Sequence, residues 1–120
     1  PDERERMIVA GILEKRLGAQ MPLQVDASVI YAKCDRVIID CKERSLKRSD
    51  FESESPYNTY MRIGLPPTPI GNPGLGSILA SVKAKKSNFW FYLSDPKTKK
   101  TIFSETLDEH NENRIKYLNI

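Results

Sequence analysis

Four prolines fall within eight positions, Pro66 to Pro73, inside the run Gly64-Leu65-Pro66-Pro67-Thr68-Pro69-Ile70-Gly71-Asn72-Pro73-Gly74. Each proline fixes its own φ and removes a backbone donor. Each also pushes the residue before it toward extended conformations. Neither a helix nor a central strand can run through such a segment, so regular elements must lie on either side of it. Glycines between the prolines allow sharp bends or close approach. The segment is therefore expected to be a stiff wall that loses little entropy on ordering. Just upstream, Ser55-Pro56-Tyr57-Asn58-Thr59-Tyr60 offers an amide, hydroxyls and two aromatic faces. A stiff loop beside such groups is a way to build a groove of saccharide size.

The 120 residues fit one domain, or most of one, with a modest core. Apolar content is 39% and charged content 29%. Nineteen Lys and Arg against sixteen Asp and Glu leave a net charge of +3. That is too mild for a nucleic-acid reader, which carries a stronger basic stripe. Lys83, Lys85 and Lys86, and Lys97, Lys99 and Lys100, read as solvated loop ends, with attraction to an anionic wall polymer or membrane surface as the functional alternative. No apolar run approaches the roughly 20 residues of a spanning helix. Cys34 and Cys41 form no CxxC and have no nearby His, so no zinc site is expected. In one straight strand their Cα atoms would lie about 23 Å apart, too far for a bridge. A turn between them permits a disulfide, and two free or buried thiols are the equal alternative.

Helical spacing of Met7, Ile8, Ile12, Leu13 and Leu17 predicts a helix over residues 2–17, with Gly18 as its stop. Asp26 or Ser28 is a candidate cap for a short helix through Val29, Ile30 and Tyr31. Val37-Ile38-Ile39 reads as a strand, and residues 46–51 as a short helical turn capped by Ser45 or Ser49. Asn72-Pro73 has the order of a helix start. Leu75, Ile78, Leu79 and Val82 then keep helical spacing over residues 73–83. Phe89 to Leu93 is β-prone, Asp95 to Thr98 a turn, and Thr101-Ile102-Phe103 a returning strand. Thr106 to Glu109 is a capping box opening a helix over 107–118, with Ile115 and Leu118 facing inward. The expected fold class is α+β: short helices, a small antiparallel hairpin near 89–104, and the long Pro/Gly-rich loop.

Candidate ligand-holding residues are Gln24, Asp26, Tyr57, Asn58, Thr59, Tyr60, Pro66 and Asn72. Gln24 and Asp26 are suited to sugar hydroxyls or to orienting a catalytic acid. A cap and a turn closure explain them equally well. Asn58 and Thr59 are stronger candidates because a stiff loop exposing them is more than a connector. Against this, Asn58 can simply satisfy backbone groups of its own loop. One of Tyr57 and Tyr60 is expected to stack on sugar, the other to pack with its hydroxyl bonded. His110 is the only histidine, and packing outweighs general-base work for it. For Trp90, core packing outweighs glycan stacking. Ser55 and Ser104 lack the partners of a nucleophile.

These motifs also resemble a known family. SPYNTY and GLPPTPIGNPG are similar to segments of the YceG-like endolytic murein transglycosylases. In the same order come Met21-Pro22-Leu23-Gln24-Val25-Asp26 with Val29-Ile30-Tyr31, the aromatic Phe89-Trp90-Phe91-Tyr92-Leu93, and Phe103-Ser104 with Thr106 and Glu109-His110-Asn111. The resemblance spans nearly the whole chain. Ala27 stands where the family commonly has proline, and residues 33–44 replace a glycine-containing segment.

The resemblance implies cleavage of peptidoglycan glycan strands with formation of 1,6-anhydro ends, and no cofactor or metal. It puts the general-acid glutamate upstream of Pro1, so no catalytic residue is expected in this chain. Residues 1–120 are then the C-terminal part of a catalytic domain and inactive alone. Implied partners are glycan strands and cell-wall synthesis proteins, with no nucleic acid. Implied location is the bacterial cell envelope, at the outer face of the cytoplasmic membrane, through an anchor outside this chain. A truncated domain is expected to expose an apolar face along Met7, Ile8 and Ile12. The rival reading is a non-catalytic glycan-binding or wall-scaffold module. A third, a pyridoxal-phosphate lyase historically attached to the family, needs a Schiff-base Lys and a phosphate cradle. Gly71 to Gly76 is a weak match for the cradle.

Overall fold

The computed structural model describes residues 2–35, 41–43 and 45–120. The strand expected at Val37 to Ile39 lies outside them. Two compact units emerge: one made of Pro1–Lys15 with Pro73–Ile120, the other of Arg16–Asn72. Among the described residues, helices and one two-stranded antiparallel sheet make an α+β protein.

The first helix, α1, spans Glu3–Gly18. Its entrance is a reciprocal cap: the Glu5 amide donates to Asp2 Oδ1 at 2.8 Å, and the Asp2 amide to Glu5 Oε2 at 3.1 Å. Its exit differs from the expected glycine stop. Gly18 is still helical, and Gln20 takes the left-handed conformation at φ 56°. The Gln20 amide then bonds Leu17 O and the Met21 amide bonds Arg16 O, which is the Schellman pattern. Ile8 and Ile12 are buried, so the apolar face expected to be exposed is covered.

In the unit that ends the chain, α3 (Leu75–Val82) is capped by the Gly74 backbone rather than Asn72. Its apolar stripe points to solvent, with Leu75 71% and Val82 78% exposed, and Ala80 is the residue it buries. Strands β1 (Phe91–Ser94) and β2 (Thr101–Ser104) pair antiparallel, Phe91 opposite Ser104. The pairing continues one residue outward, from the Trp90 amide to Ser104 O. The hairpin turn is held by Asp95, whose carboxylate accepts from the Lys97 amide and the Thr98 hydroxyl, both at 2.9 Å. Those bonds, the amide first, hold its carboxyl below the usual range. Gly11 of α1 meets Lys85 so closely that a Cβ there would lie 1.9 Å from the Lys85 carbonyl oxygen. Helix α4 (Leu107–Asn113) opens on the expected box, with Thr106 Oγ1 accepting from the Glu109 amide. It then widens into a π turn, Arg114–Leu118. That change of pitch leaves Ile115 65% exposed, against the expectation that it faces inward. The His110 ring stacks on Phe91 at 5.1 Å, and Lys15 Nζ sits 4.4 Å above the Trp90 ring. Both aromatics are thus engaged in packing.

The unit Arg16–Asn72 contains α2 (Asp26–Lys33) and a 3₁₀ turn (Arg48–Glu52). The turn is capped by Asp50, not Ser45 or Ser49: the Lys47 amide donates to Asp50 Oδ2 at 2.8 Å. Lys33 Nζ pairs with the same oxygen at 3.0 Å and so ties α2 to the turn. At the end of α2, Cys34 and Cys41 form a disulfide with Cα atoms 5.4 Å apart. The bridged alternative is therefore the one realised.

Candidate functional site

The Ser55 to Tyr60 turn is built around a side chain that never reaches solvent. Asn58 is 0% exposed. Its Nδ2 donates to Phe51 O at 3.0 Å and Ser53 O at 2.8 Å, and its Oδ1 accepts from the Tyr60 amide at 3.0 Å. The expected exposed amide is therefore an internal strut. Three backbone groups that the irregular turn leaves without ladder partners are satisfied by one side chain.

Thr59, also buried, joins this turn to the Met21 to Asp26 segment. Its Oγ1 accepts from the Val25 amide at 2.9 Å and lies 2.7 Å from Ser28 Oγ. Its carbonyl accepts from the Gln24 amide at 3.2 Å. Ser28 Oγ in turn donates to Val25 O at 2.7 Å. The start of α2 thus takes its cap from a residue 34 positions away, and neither Asp26 nor Ser28 serves as N-cap. Arg16, buried at the end of α1, donates to Leu23 O at 2.9 Å and clamps the other end of the segment.

This latch leaves Gln24 in the left-handed region, φ 53°, with its side chain exposed. A non-glycine residue held there by surrounding bonds is a pattern frequent at functional sites. Asp26, free of capping duty, accepts a short hydrogen bond from the Tyr60 hydroxyl. The Tyr60 ring meets Phe51 edge-on at 4.8 Å. Tyr57 packs on Tyr31 at 4.9 Å and shares a 2.8 Å hydrogen bond with Thr68 Oγ1. Both tyrosines are half-buried, and each hydroxyl is hydrogen-bonded.

Thr68 carries the proline wall. Residues Leu65 to Ile70, with Leu23, Val25, Ser28 and Thr59, line an open cavity of about 390 Å³. Of the expected residues, Thr59 and Pro66 line it. Gln24, Asp26, Tyr57, Asn58 and Tyr60 belong to the turn and segment that support it, and Asn72 is exposed at the end of the loop. Within the expected proline wall Leu65 and Ile70 join the lining, whereas sequence reasoning missed Leu23, Val25 and Ser28 as lining, and Arg16 as a clamp. For Arg16 the signal was present, because Ile8, Ile12 and Arg16 repeat at i+4 on one helical face. For Ser28 no local signal existed.

Comparison with known proteins bears on the whole chain. The model of the YceG-like family matches residues 1–116. Over 117 residues the chain is 36% identical to an endolytic murein transglycosylase of Bacillus subtilis, covering 98% of this chain and 31% of that protein. It is 29% identical to an endolytic murein transglycosylase of Streptococcus pneumoniae, covering 96% of this chain and 21% of that protein. The crystal structure of a yceG-like protein from Listeria monocytogenes matches with a TM-score of 0.80 and 38% identity, over 91% of this chain and 34% of the other. The chain thus spans about a third or less of the length of these relatives.

Proposed function

The chain belongs to the YceG-like family, and on that premise we propose that it supplies the saccharide-holding part of an endolytic peptidoglycan transglycosylase. In this reading a glutamate expected upstream of Pro1 protonates the glycosidic oxygen. It then takes the proton of the sugar's own 6-hydroxyl as that oxygen attacks the anomeric carbon. The product is a 1,6-anhydro end, and no water is consumed. One acidic group suffices, without the spaced carboxylate pair of an inverting hydrolase.

The residues of this chain then do positional work. Asn58 and Thr59 hold the turn, while Gln24, Asp26, Tyr57, Tyr60, Pro66 and Asn72 meet the glycan. The observation that carries this assignment is the Thr59 latch. It fixes the exposed Gln24 and the Asp26–Tyr60 pair against one rigid turn. The substrate puts the site at the outer face of the bacterial cytoplasmic membrane, near wall-synthesis proteins. A disulfide at Cys34–Cys41 suits that oxidising side. The test is anhydro-muropeptide release by the protein extended upstream through the glutamate. Gln24→Ala and Tyr60→Phe in that protein are expected to lower release roughly tenfold to a hundredfold, with unchanged circular dichroism. Release at the unsubstituted rate in both variants would overturn the assignment.

A further inference from the structure

The cavity behind the proline wall differs in chemistry from the exposed Gln24 and Asp26–Tyr60 surface. No charged side chain lines it. Its polar side chains are those of Ser28, Thr59 and Thr68, and each hydroxyl makes a hydrogen bond within the fold. Thr59 Oγ1 bonds the Val25 amide and Ser28, Ser28 bonds Val25 O, and Thr68 shares its hydrogen bond with Tyr57. The rest of the lining is mainly apolar, with Leu23, Leu65, Pro66 and Ile70 among it. A sugar hydroxyl entering this space meets a mostly apolar wall and side-chain hydroxyls that already have partners. A methyl group loses nothing and gains contact. The volume, about 390 Å³, lies at the small end of ligand pockets.

We infer that the proline-walled cavity is a subsite for an uncharged, methyl-bearing group. Resting on the glycan reading above, that group is the N-acetyl substituent of an amino sugar. The exposed polar surface reads hydroxyls, and the cavity reads acetylation. Prolines suit this role because their rings offer rigid apolar faces and no unpaired amide.

The experiment is a titration of the isotope-labelled 120-residue chain, followed by amide NMR, with N-acetylchitotetraose and with cellotetraose. The second sugar is neutral and carries a hydroxyl in place of each acetamido group. The acetylated sugar is expected to shift the amides of Leu23, Leu65 and Ile70 and to bind about tenfold or more tightly than cellotetraose. Leu65→Asp puts a charge at the mouth, at a residue 71% exposed whose replacement spares the fold, and abolishes the preference. Equal binding of both sugars at the cavity overturns the inference. Shifts confined to Gln24, Asp26 and Tyr60 also overturn it while leaving the groove reading intact. No binding of either sugar overturns it too, and muropeptide release by the extended protein then judges the groove reading separately.

Discussion

Replacing Asn58 removes one side chain and strands three backbone groups. In Asn58→Ala, Phe51 O, Ser53 O and the Tyr60 amide lose the partners they hold at 3.0, 2.8 and 3.0 Å, in a site closed to solvent. With about 1 kcal/mol net per buried hydrogen bond, the expected cost is about 3 kcal/mol. Asn58→Asp is the sharper probe because its shape is nearly unchanged. One carboxylate oxygen keeps the Tyr60 amide, and the other faces two carbonyl oxygens with no proton to offer. Those carbonyls and the burial disfavour the charged form, so the folded-state pKa rises above the unfolded value. Between the two values the folded state binds more protons than the unfolded one. Stability of the aspartate variant, relative to the parent protein, therefore increases as pH falls. Urea unfolding followed by circular dichroism at neutral pH and near pH 5 measures both effects. An alanine variant within about 0.5 kcal/mol of the parent would refute the strut. So would an aspartate deficit that does not change with pH.

Gly11→Ala sets helix propensity, which favours alanine by about 1 kcal/mol, against a Cβ 1.9 Å from a backbone carbonyl oxygen. The clash is expected to win, with a net loss of about 2 kcal/mol; equal or higher stability in thermal melts would contradict the close approach. Cys34→Ser opens the eight-residue disulfide loop and is expected to cost about 2.5 kcal/mol; two titratable thiols in the unfolded, unreduced parent would refute the bridge. Asp50 is held below its ordinary pKa first by the Lys47 amide and then by Lys33. Its contribution is present above the unfolded pKa and fades as pH falls through the folded one. The parent should therefore lose more stability than Asp50→Asn between about pH 5 and pH 3; parallel losses would show that the cap contributes nothing.

Where partners are near in sequence, the fold was legible. The Thr106 box, the Asp95 turn with its hairpin, and the Ile8 and Ile12 face of α1 all follow from spacings of four residues or fewer and from strand propensity. Asn58 was half legible. Its polar side chain beside Pro56 announced an irregular turn, and loop satisfaction was one of two readings. Burial chose between them. Thr59 was not legible as a latch, because Val25 and Ser28 lie more than thirty residues away and nothing local pairs them. Periodicity found α3, whose apolar stripe nonetheless faces solvent, and misled at Ile115. A stripe at helical spacing shows that one side of a helix is apolar, not that anything covers it, and the π turn at Arg114–Leu118 breaks the spacing altogether.

In the proposed function this chain holds the glycan while a glutamate upstream supplies the acid. The most direct measurement is release of 1,6-anhydro muropeptides from purified peptidoglycan by three proteins. These are the 120-residue chain, a form extended upstream through the glutamate, and that form with the glutamate changed to glutamine. Release by the extended form alone is the predicted result. Release by the 120-residue chain would contradict it, and would make Asp26, beside Tyr60, the first residue to replace.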